Sequence, residues 1–426
     1  MWNGITSAQT DVLGDFVSDT FDQHPVIVLG MGFPALGVVH TLAIRGVPCW
    51  VCDPQRRFTA WSRHARYWRI PDPRFDADGM IARLKELAKK IGGRPVVIPT
   101  DDHYSQVLAR HNAELEPLML PCVAGSETVE LLVHKGRFSE WAEGRGIRVP
   151  RTRPGNAPVG ALPLPVVAKP ITKSSFRYAA REMGGRRTSE LRFTLLRSEA
   201  EWRKFRESNA ANLEIIVLQE YVEGNSSDMY SIGVYADRQS QITGMFVGRK
   251  LRGYPAQYGN TKLGQNDTVP DHVLAEIAGI VRELHYTGIA EFEYRRDSKT
   301  GEFRLIEVNP RCWSWIAATA ESPANIPWIA YRDMIGAPVA PAMDNRAPGA
   351  VKYVTILSDM ANVFVRYRWD HPAWVMGPRA WWRSLEADRL VVAEFNRGDW
   401  PVALYSMWVL ARDGVRFLFK MQPLEA

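Results

Sequence analysis

Over its first third this chain alternates short, continuous apolar runs with amphipathic stretches. The runs at residues 25–30, 47–53 and 95–99 are rich in valine and isoleucine, the pattern of strands buried on both faces. Residues 38–45, 80–91 and 104–112 instead repeat apolar positions every three to four residues and predict helices. Strand, helix, strand in this order predicts a parallel sheet covered by helices, an α/β unit over residues 25–130. The middle of the chain reads differently. Residues 165–170, 213–218, 229–236, 242–249, 289–294 and 303–306 predict strands joined largely by polar turns. A helix opens near residue 131, another covers 273–284, and a last helical stretch runs towards residue 334, so residues 131–335 read as α+β.

One of these strands ends in chemistry. Residues 303–306 run into Glu307-Val308-Asn309-Pro310-Arg311, and alternate strand residues share a face, so Glu307, Asn309 and Arg311 project together. Upstream, Glu293 lies in a partner strand, and the turn formers Asp297-Ser298-Lys299-Thr300-Gly301 predict a hairpin that returns it beside Glu307. Two carboxylates and an amide oxygen form a hard, all-oxygen set that suits magnesium, with room for water and phosphate oxygens. Ordinary surface charge on a solvated hairpin is the alternative.

Composition narrows the class. With 426 residues and 46% hydrophobic content the chain is globular, long enough for two to four domains or subdomains. Its net charge of +6 favours phosphate-bearing or other anionic partners. No nucleic-acid recognition module or zinc spacing accompanies that charge, so no nucleic-acid partner is expected. The four cysteines include Cys49-Trp50-Val51-Cys52, but no second Cys or His pair completes a metal knuckle, and buried reduced thiols are expected. Residues 1–24 are polar and acidic without the apolar centre of a signal peptide. No stretch approaches the roughly 18 apolar residues of a membrane span, so a cytoplasmic protein is expected.

Several further residues invite two readings. Gly30-x-Gly32-x-x-Ala35 follows the first strand and Asp53 ends the second, which meets the alanine variant of a dinucleotide fingerprint and keeps an NAD-dependent oxidoreductase open. Asp101 and Asp102 reach the carboxyl edge of the sheet, either beside a ligand or as a helix cap. Lys169 ends a valine-rich strand that Pro170 halts, so its ammonium sits on a rigid element. Three cations stand in Arg249-Lys250-Leu251-Arg252, where Arg249 or Arg252 would clamp carboxylate or phosphoryl oxygens, or would protect an edge strand by charge. From about residue 336, Trp374, Trp381, Trp382, Trp400 and Trp408 are expected to bury against a domain face. Arg379-Ala380-Trp381-Trp382-Arg383 is also suited to a membrane surface or a partner.

Lys169, the run Gln219-Glu220-Tyr221-Val222-Glu223-Gly224, Glu293 and Glu307-Val308-Asn309-Pro310-Arg311 follow one another in the order and rough spacing of the ATP-grasp superfamily. Over residues 25–335 the chain resembles that superfamily, and within it the carboxylate-amine ligases of the D-aspartate ligase group. The resemblance implies a Rossmann-like, pre-ATP-grasp domain at 25–130, central ATP-grasp subdomains at 131–335 and a Trp-rich extension at 336–426. It implies Lys135, Lys169 and Lys173 as contacts to ATP phosphates, Glu220, Tyr221 and Val222 as readers of adenine, and Asp228 as the ribose ligand. Glu293, Glu307 and Asn309 would hold Mg2+, with Mn2+ as the alternative ion, while Arg249, Arg252 and Arg311 would face the developing charge. The segment at 172–187 departs from the usual glycine-rich phosphate lid. The implied reaction joins a small carboxylate to an amine through an acyl phosphate, in a monomer or a homo-oligomer. A non-catalytic ATP-binding protein would keep the same lysines.

Overall fold

The computed structural model describes residues 23–172, 193–395 and 398–420, with the side chains of the last helix as far as Arg412. Three sheets organise them. Strands β1 (Val26–Leu29), β2 (Cys49–Asp53), β3 (Ala65–Arg69), β4 (Val96–Pro99) and β5 (Leu120–Pro121) form an all-parallel sheet in the order β3-β2-β1-β4-β5. All four side chains of β1 are buried, as a central strand covered on both faces requires. Helix α1 (Phe33–Ala43) is buried along nearly its whole length because it lies between this sheet and residues 316–321. Helix α2 (Ala77–Ile91) is amphipathic: it buries Met80, Ile81, Leu84, Leu87 and Ala88, and the Asp76 side chain caps its first turn through the Gly79 amide at 2.8 Å. Strand order reverses between β1 and β4, which makes their carboxyl ends the place where an open α/β sheet receives ligands. Helix α3 (Asp102–Arg110) starts there, capped by Asp101.

The second sheet is small and antiparallel: β6 (Thr152–Pro154), β7 (Val166–Pro170), β8 (Thr194–Leu196) and β9 (Ile216–Glu220) in the order β6-β9-β7-β8. Trp202, Val166, Ala168, Ile216 and Leu218 form its own core. Helices α4 (Ser126–Val133) and α5 (Lys135–Glu143) connect it to the first sheet.

The third sheet is the largest. It comprises β10 (Met229–Ala236), β11 (Ile242–Tyr254), β12 (Asn260–Asn266), β13 (Gly288–Arg296), β14 (Phe303–Asn309), β15 (Ala342–Asp344), β16 (Val351–Val354) and β17 (Arg389–Val392). Their order is β14-β13-β10-β11-β12-β16-β17, with β15 alongside β11. Glycines let this sheet accept two indoles face on. A Cβ at Gly233 would come within 2.0 Å of Trp313, and one at Gly248 within 2.3 Å of Trp315. Both tryptophans are fully buried, and they join the large sheet to α1 and, beyond α6 (Asp271–Glu283) in the chain, to α7 (Ile326–Met334).

Within residues 336–426, β15, β16 and β17 add to the large sheet. The expectation that the tryptophans there bury is corrected in part. Trp381 is buried beside Phe364 and bonds Asp359, but Trp382, Trp400 and Trp408 are exposed.

Candidate functional site

A cleft of about 410 Å³ lies between the small and large sheets. Its floor comes from the β13–β14 hairpin, whose register sets Glu293 opposite Glu307 and Glu291 opposite Asn309. The hairpin legible in the sequence thus brings its acids together, and adds Glu291 to them. The Asn309 Nδ2 donates to Glu291 Oε2 at 3.1 Å, to Glu293 Oε1 at 3.4 Å and to Glu307 Oε1 at 3.4 Å. Its Oδ1 accepts from Arg311 Nη2 at 2.8 Å. Burial, and then the neighbouring Glu293, pushes Glu291 up to about 8.

Lysines enclose these carboxylates. Lys135 stands in the first turn of α5, where the helix N-terminus disfavours a cation, and it finds Glu307 Oε2 at 3.5 Å. Lys250 is buried and reaches Glu293 Oε2 at 3.1 Å; burial opposes its charge, yet Glu293 and Glu291 hold it above the usual lysine value. Lys169, at the end of β7, lines the same cleft. Burial and the nearby Lys135 pull its ammonium down to about 8, and Glu307 and Glu293 offset only part of that.

The opposite wall is the connection from β9 to β10. Glu220, Tyr221 and Val222 all line the cleft. The Tyr221 amide donates to Pro165 O at 3.2 Å, its hydroxyl donates to Gly224 O at 2.9 Å, and Glu220 lies 3.3 Å from Arg151 and 3.4 Å from Arg304. Buried Arg295 fixes this turn by donating to Val222 O at 3.2 Å and to Gln257 O at 2.7 Å. Tyr258 closes the far side, stacked on Phe193 at 4.3 Å between centroids.

Other residues singled out in the sequence are placed elsewhere. Arg252 is buried against Asp359, with Nε–Oδ1 at 2.9 Å and Nη2–Oδ2 at 2.5 Å, and is not at the cleft. A bulge in β11 between Lys250 and Arg252 breaks the alternation that would have put both on one face. Arg249 faces the other side of the strand, bonded to Ser227 O at 2.7 Å and 3.7 Å from Asp267. Asp228 closes a capping box through the Asn225 amide at 2.9 Å and is not among the residues that line the cleft. Lys173 and most of the 172–187 segment lie outside the described residues. Lys250, Glu291 and Arg295 escaped the sequence reading, although 291, 293 and 295 share parity along one strand. That alternation was the signal available for Glu291 and Arg295.

Arg311 links the cleft to the first sheet. Its Nε donates to Asp102 Oδ1 at 2.7 Å, Ser105 Oγ donates to Pro310 O at 2.9 Å, and the Cys312 amide reaches Pro99 O at 3.3 Å. The glycine turn after β1, by contrast, is already engaged. Thr59 Oγ1 accepts from the Gly32 amide at 3.1 Å and donates to Gly32 O at 2.9 Å, while Asp53 accepts from Gln55 N and Tyr104 OH. A dinucleotide would find that amide taken.

Among the described residues, no three His, Cys, Asp or Glu side chains close on one point as a ready metal cage. The donor set nevertheless fits magnesium, an ion that takes one or two carboxylates and completes its shell with water and phosphate oxygens. Asn309 would join such a shell only with its carboxamide turned, since its oxygen now faces Arg311.

Solved structures share this fold. N5-carboxyaminoimidazole synthetase from Staphylococcus aureus superposes with a TM-score of 0.59 at 14% identity, covering 82% of this chain and 86% of that one. The biotin carboxylase domain of 2-oxoglutarate carboxylase from Hydrogenobacter thermophilus, solved with MgADP and bicarbonate, gives 0.57 at 14% identity over 77% of this chain and 73% of its own. This chain has the ATP-grasp fold. By sequence it is similar to D-aspartate ligase from Enterococcus faecium (strain Aus0004), 26% identical over 258 residues, which is 56% of this chain and 59% of that protein. No family model matches the chain. In ATP-grasp terms, the cleft described above lies where the two central sheets face one another.

Proposed function

We propose that the protein is an ATP-dependent carboxylate-amine ligase that works through an acyl phosphate and releases ADP and phosphate. The observation that carries this reading is the convergence of Glu293, Glu307 and Asn309 with Lys135, Lys169 and Lys250 in one cleft walled by the 219–222 turn. The similarity to D-aspartate ligase supports the reaction class. A carboxylate does not acylate an amine, because oxide would have to leave. Transfer of the γ-phosphoryl group of ATP to a carboxylate oxygen breaks the β–γ P–O bond and forms ADP and an acyl phosphate. The amine nitrogen then attacks the carbonyl, phosphate departs with the C–O electron pair, and the nitrogen gives up a proton.

Catalysis of this kind is mostly positioning and charge neutralisation. The backbone at Glu220 to Val222 reads the adenine edge, and Arg295 holds that backbone in place. Lys135 and Lys169 take the phosphates, and Lys250 pairs with Glu293 at 3.1 Å. Bound at Glu293 and Glu307, Mg2+ or Mn2+ supplies Lewis-acid charge to the phosphate oxygens. Arg311 presents its fork between Asn309 and Asp102, on the side where the first sheet delivers the acid. Residues 131–335 in this reading bind nucleotide and perform the transfer, residues 25–130 contribute the acid's side of the site, and the reaction runs in the cytoplasm, where ATP is.

The test is ADP release over a matrix of amino acids and amines with Mg2+. The expected result is release that needs one acid and one amine together and is lost in Glu307→Gln. No release with any pair, from a protein that binds ATP, would leave a non-catalytic nucleotide-binding protein.

A further inference from the structure

The last helix, α8 (Trp400–Lys420), turns an apolar face outwards. Its root is fixed, because buried Asp399 accepts from His40 Nε2 at 2.7 Å, from Ser62 Oγ at 2.6 Å and from the Arg63 amide at 3.0 Å. From that root, Trp400, Leu404, Met407 and Trp408 fall within an arc of about 100° on a helix of 3.6 residues per turn. They are 62%, 51%, 42% and 56% exposed, whereas Val402 and Ala403 point inwards and are buried. The face continues onto the neighbouring turn of the first domain. Trp408 lies 5.8 Å from Tyr405, and Tyr405 stacks on exposed Trp61 at 6.1 Å. Arginines lie on both outer rings, Arg56 at 4.9 Å from the Trp61 centroid and Arg412 at 5.1 Å from that of Trp408. Arg57 is exposed beside them, and Arg63 reaches Gly398 O at 3.2 Å.

We propose that this face docks on an anionic lipid surface, with α8 lying in the plane of the headgroups. Exposed indoles, those of Trp61 and Trp408 each beside a guanidinium, match a headgroup layer, where the ring meets acyl carbon and the cation meets phosphate. Charge selects this occupant over a second copy of the chain. An isologous contact through the same face sets Arg56, Arg57 and Arg412 of one copy near those of the other, whereas a layer rich in anionic lipid neutralises them. Among the described residues no helix is long and apolar enough to cross a bilayer, so the contact is peripheral.

Flotation of the full chain with vesicles of equal parts phosphatidylglycerol and phosphatidylcholine, and with phosphatidylcholine alone, tests this. The protein should float with the anionic vesicles only, and about 0.5 M salt should release it. The pair Leu404→Glu and Trp408→Glu, shown to be folded by its melting curve, should reduce flotation at least about tenfold, and Arg56→Glu with Arg57→Glu should do likewise. If the Glu variants do not fold, quenching of the unsubstituted protein's tryptophans by brominated acyl chains decides, since it should fall when Trp400 and Trp408 are both replaced by Phe. Absence of flotation overturns the proposal, as does flotation unchanged in the folded variants. A dimer in ultracentrifugation that Leu404→Glu dissociates, without lipid binding, assigns the face to a second copy instead.

Discussion

Lys169 carries its charge against two opposing influences, its own burial and the cation of Lys135, and its ammonium titrates at about 8 as a result. Phosphate binds the protonated form, so nucleotide binding is coupled to proton uptake at this lysine. The sign follows: below pH 8 the group is charged and ready, and above it each pH unit costs up to about a tenfold loss of ATP affinity. Calorimetric titrations at pH 7 and pH 9 should therefore differ by about tenfold, with proton uptake visible as buffer-dependent heat. Lys169→Arg should flatten that dependence, and an equally steep dependence in this variant would assign the titration elsewhere. Glu307 lies 3.5 Å from Lys135. Glu307→Gln removes one anionic oxygen from the hard donor set while Lys169 and the 219–222 turn remain. The expected loss is roughly 10–100-fold or more in ADP-forming turnover, with ATP affinity changed much less. A variant with normal turnover and normal magnesium dependence would exclude Glu307 as a ligand.

The bulge in β11 shows how one element divides neighbouring cations among different tasks. Lys250 enters the cleft, Arg249 faces Asp267, and Arg252 is buried against Asp359, with Trp381 Nε1 on the same carboxylate at 2.9 Å. Leaving a buried carboxylate without its cation costs about 3–5 kcal/mol. Arg252→Met should lower stability in urea unfolding by that amount while KM for ATP stays within a factor of two, and adding Asp359→Leu should recover part of the loss. A raised KM at unchanged stability would return Arg252 to the active site. The same bulge marks the limit of what was legible beforehand. Strands with a clear sequence period of two, such as β10 and β13, were readable, and so was the hairpin that pairs Glu293 with Glu307. Parity along β11 was not, because an extra residue leaves no mark in composition and reverses the face of every residue after it. Strands β15, β16 and β17 were missed for another reason. They are three or four residues long and owe their existence to partners far away in the chain, which no local pattern encodes. Asp228 was readable as an acid after a strand, but the Asn225-Ser226-Ser227-Asp228 spacing is also that of a capping box, and the cap is what formed.

On the scale of the whole molecule, the cleft belongs to the small and large sheets, and Arg311 ties its hairpin to the parallel sheet. ATP lying between the small and large sheets would bridge them, so ATP with Mg2+ should raise the melting temperature, by about 2.7 kcal/mol of stabilisation at a hundredfold excess over Kd. NAD should not, since Thr59 already occupies the Gly32 amide. A larger shift with NAD would defeat the nucleotide assignment. Arg311 holds Asn309 with one nitrogen and Asp102 with another, and Asp102 begins the helix at the strand-order reversal of the parallel sheet. An acid bound at that sheet edge would reach the phosphoryl group through the guanidinium, so the geometry of transfer depends on this link while nucleotide binding does not. Arg311→Lys keeps a cation there but loses the planar fork that engages both partners at once. Turnover should then fall and KM for the acid should rise, while ATP affinity, set by Lys169 and the 219–222 turn, changes by less than about threefold. Asp102→Asn should reproduce the pattern more weakly, and the two together should cost less than their sum, because both act through one contact. Equal loss of ATP affinity and turnover in Arg311→Lys would show that the guanidinium serves the nucleotide instead.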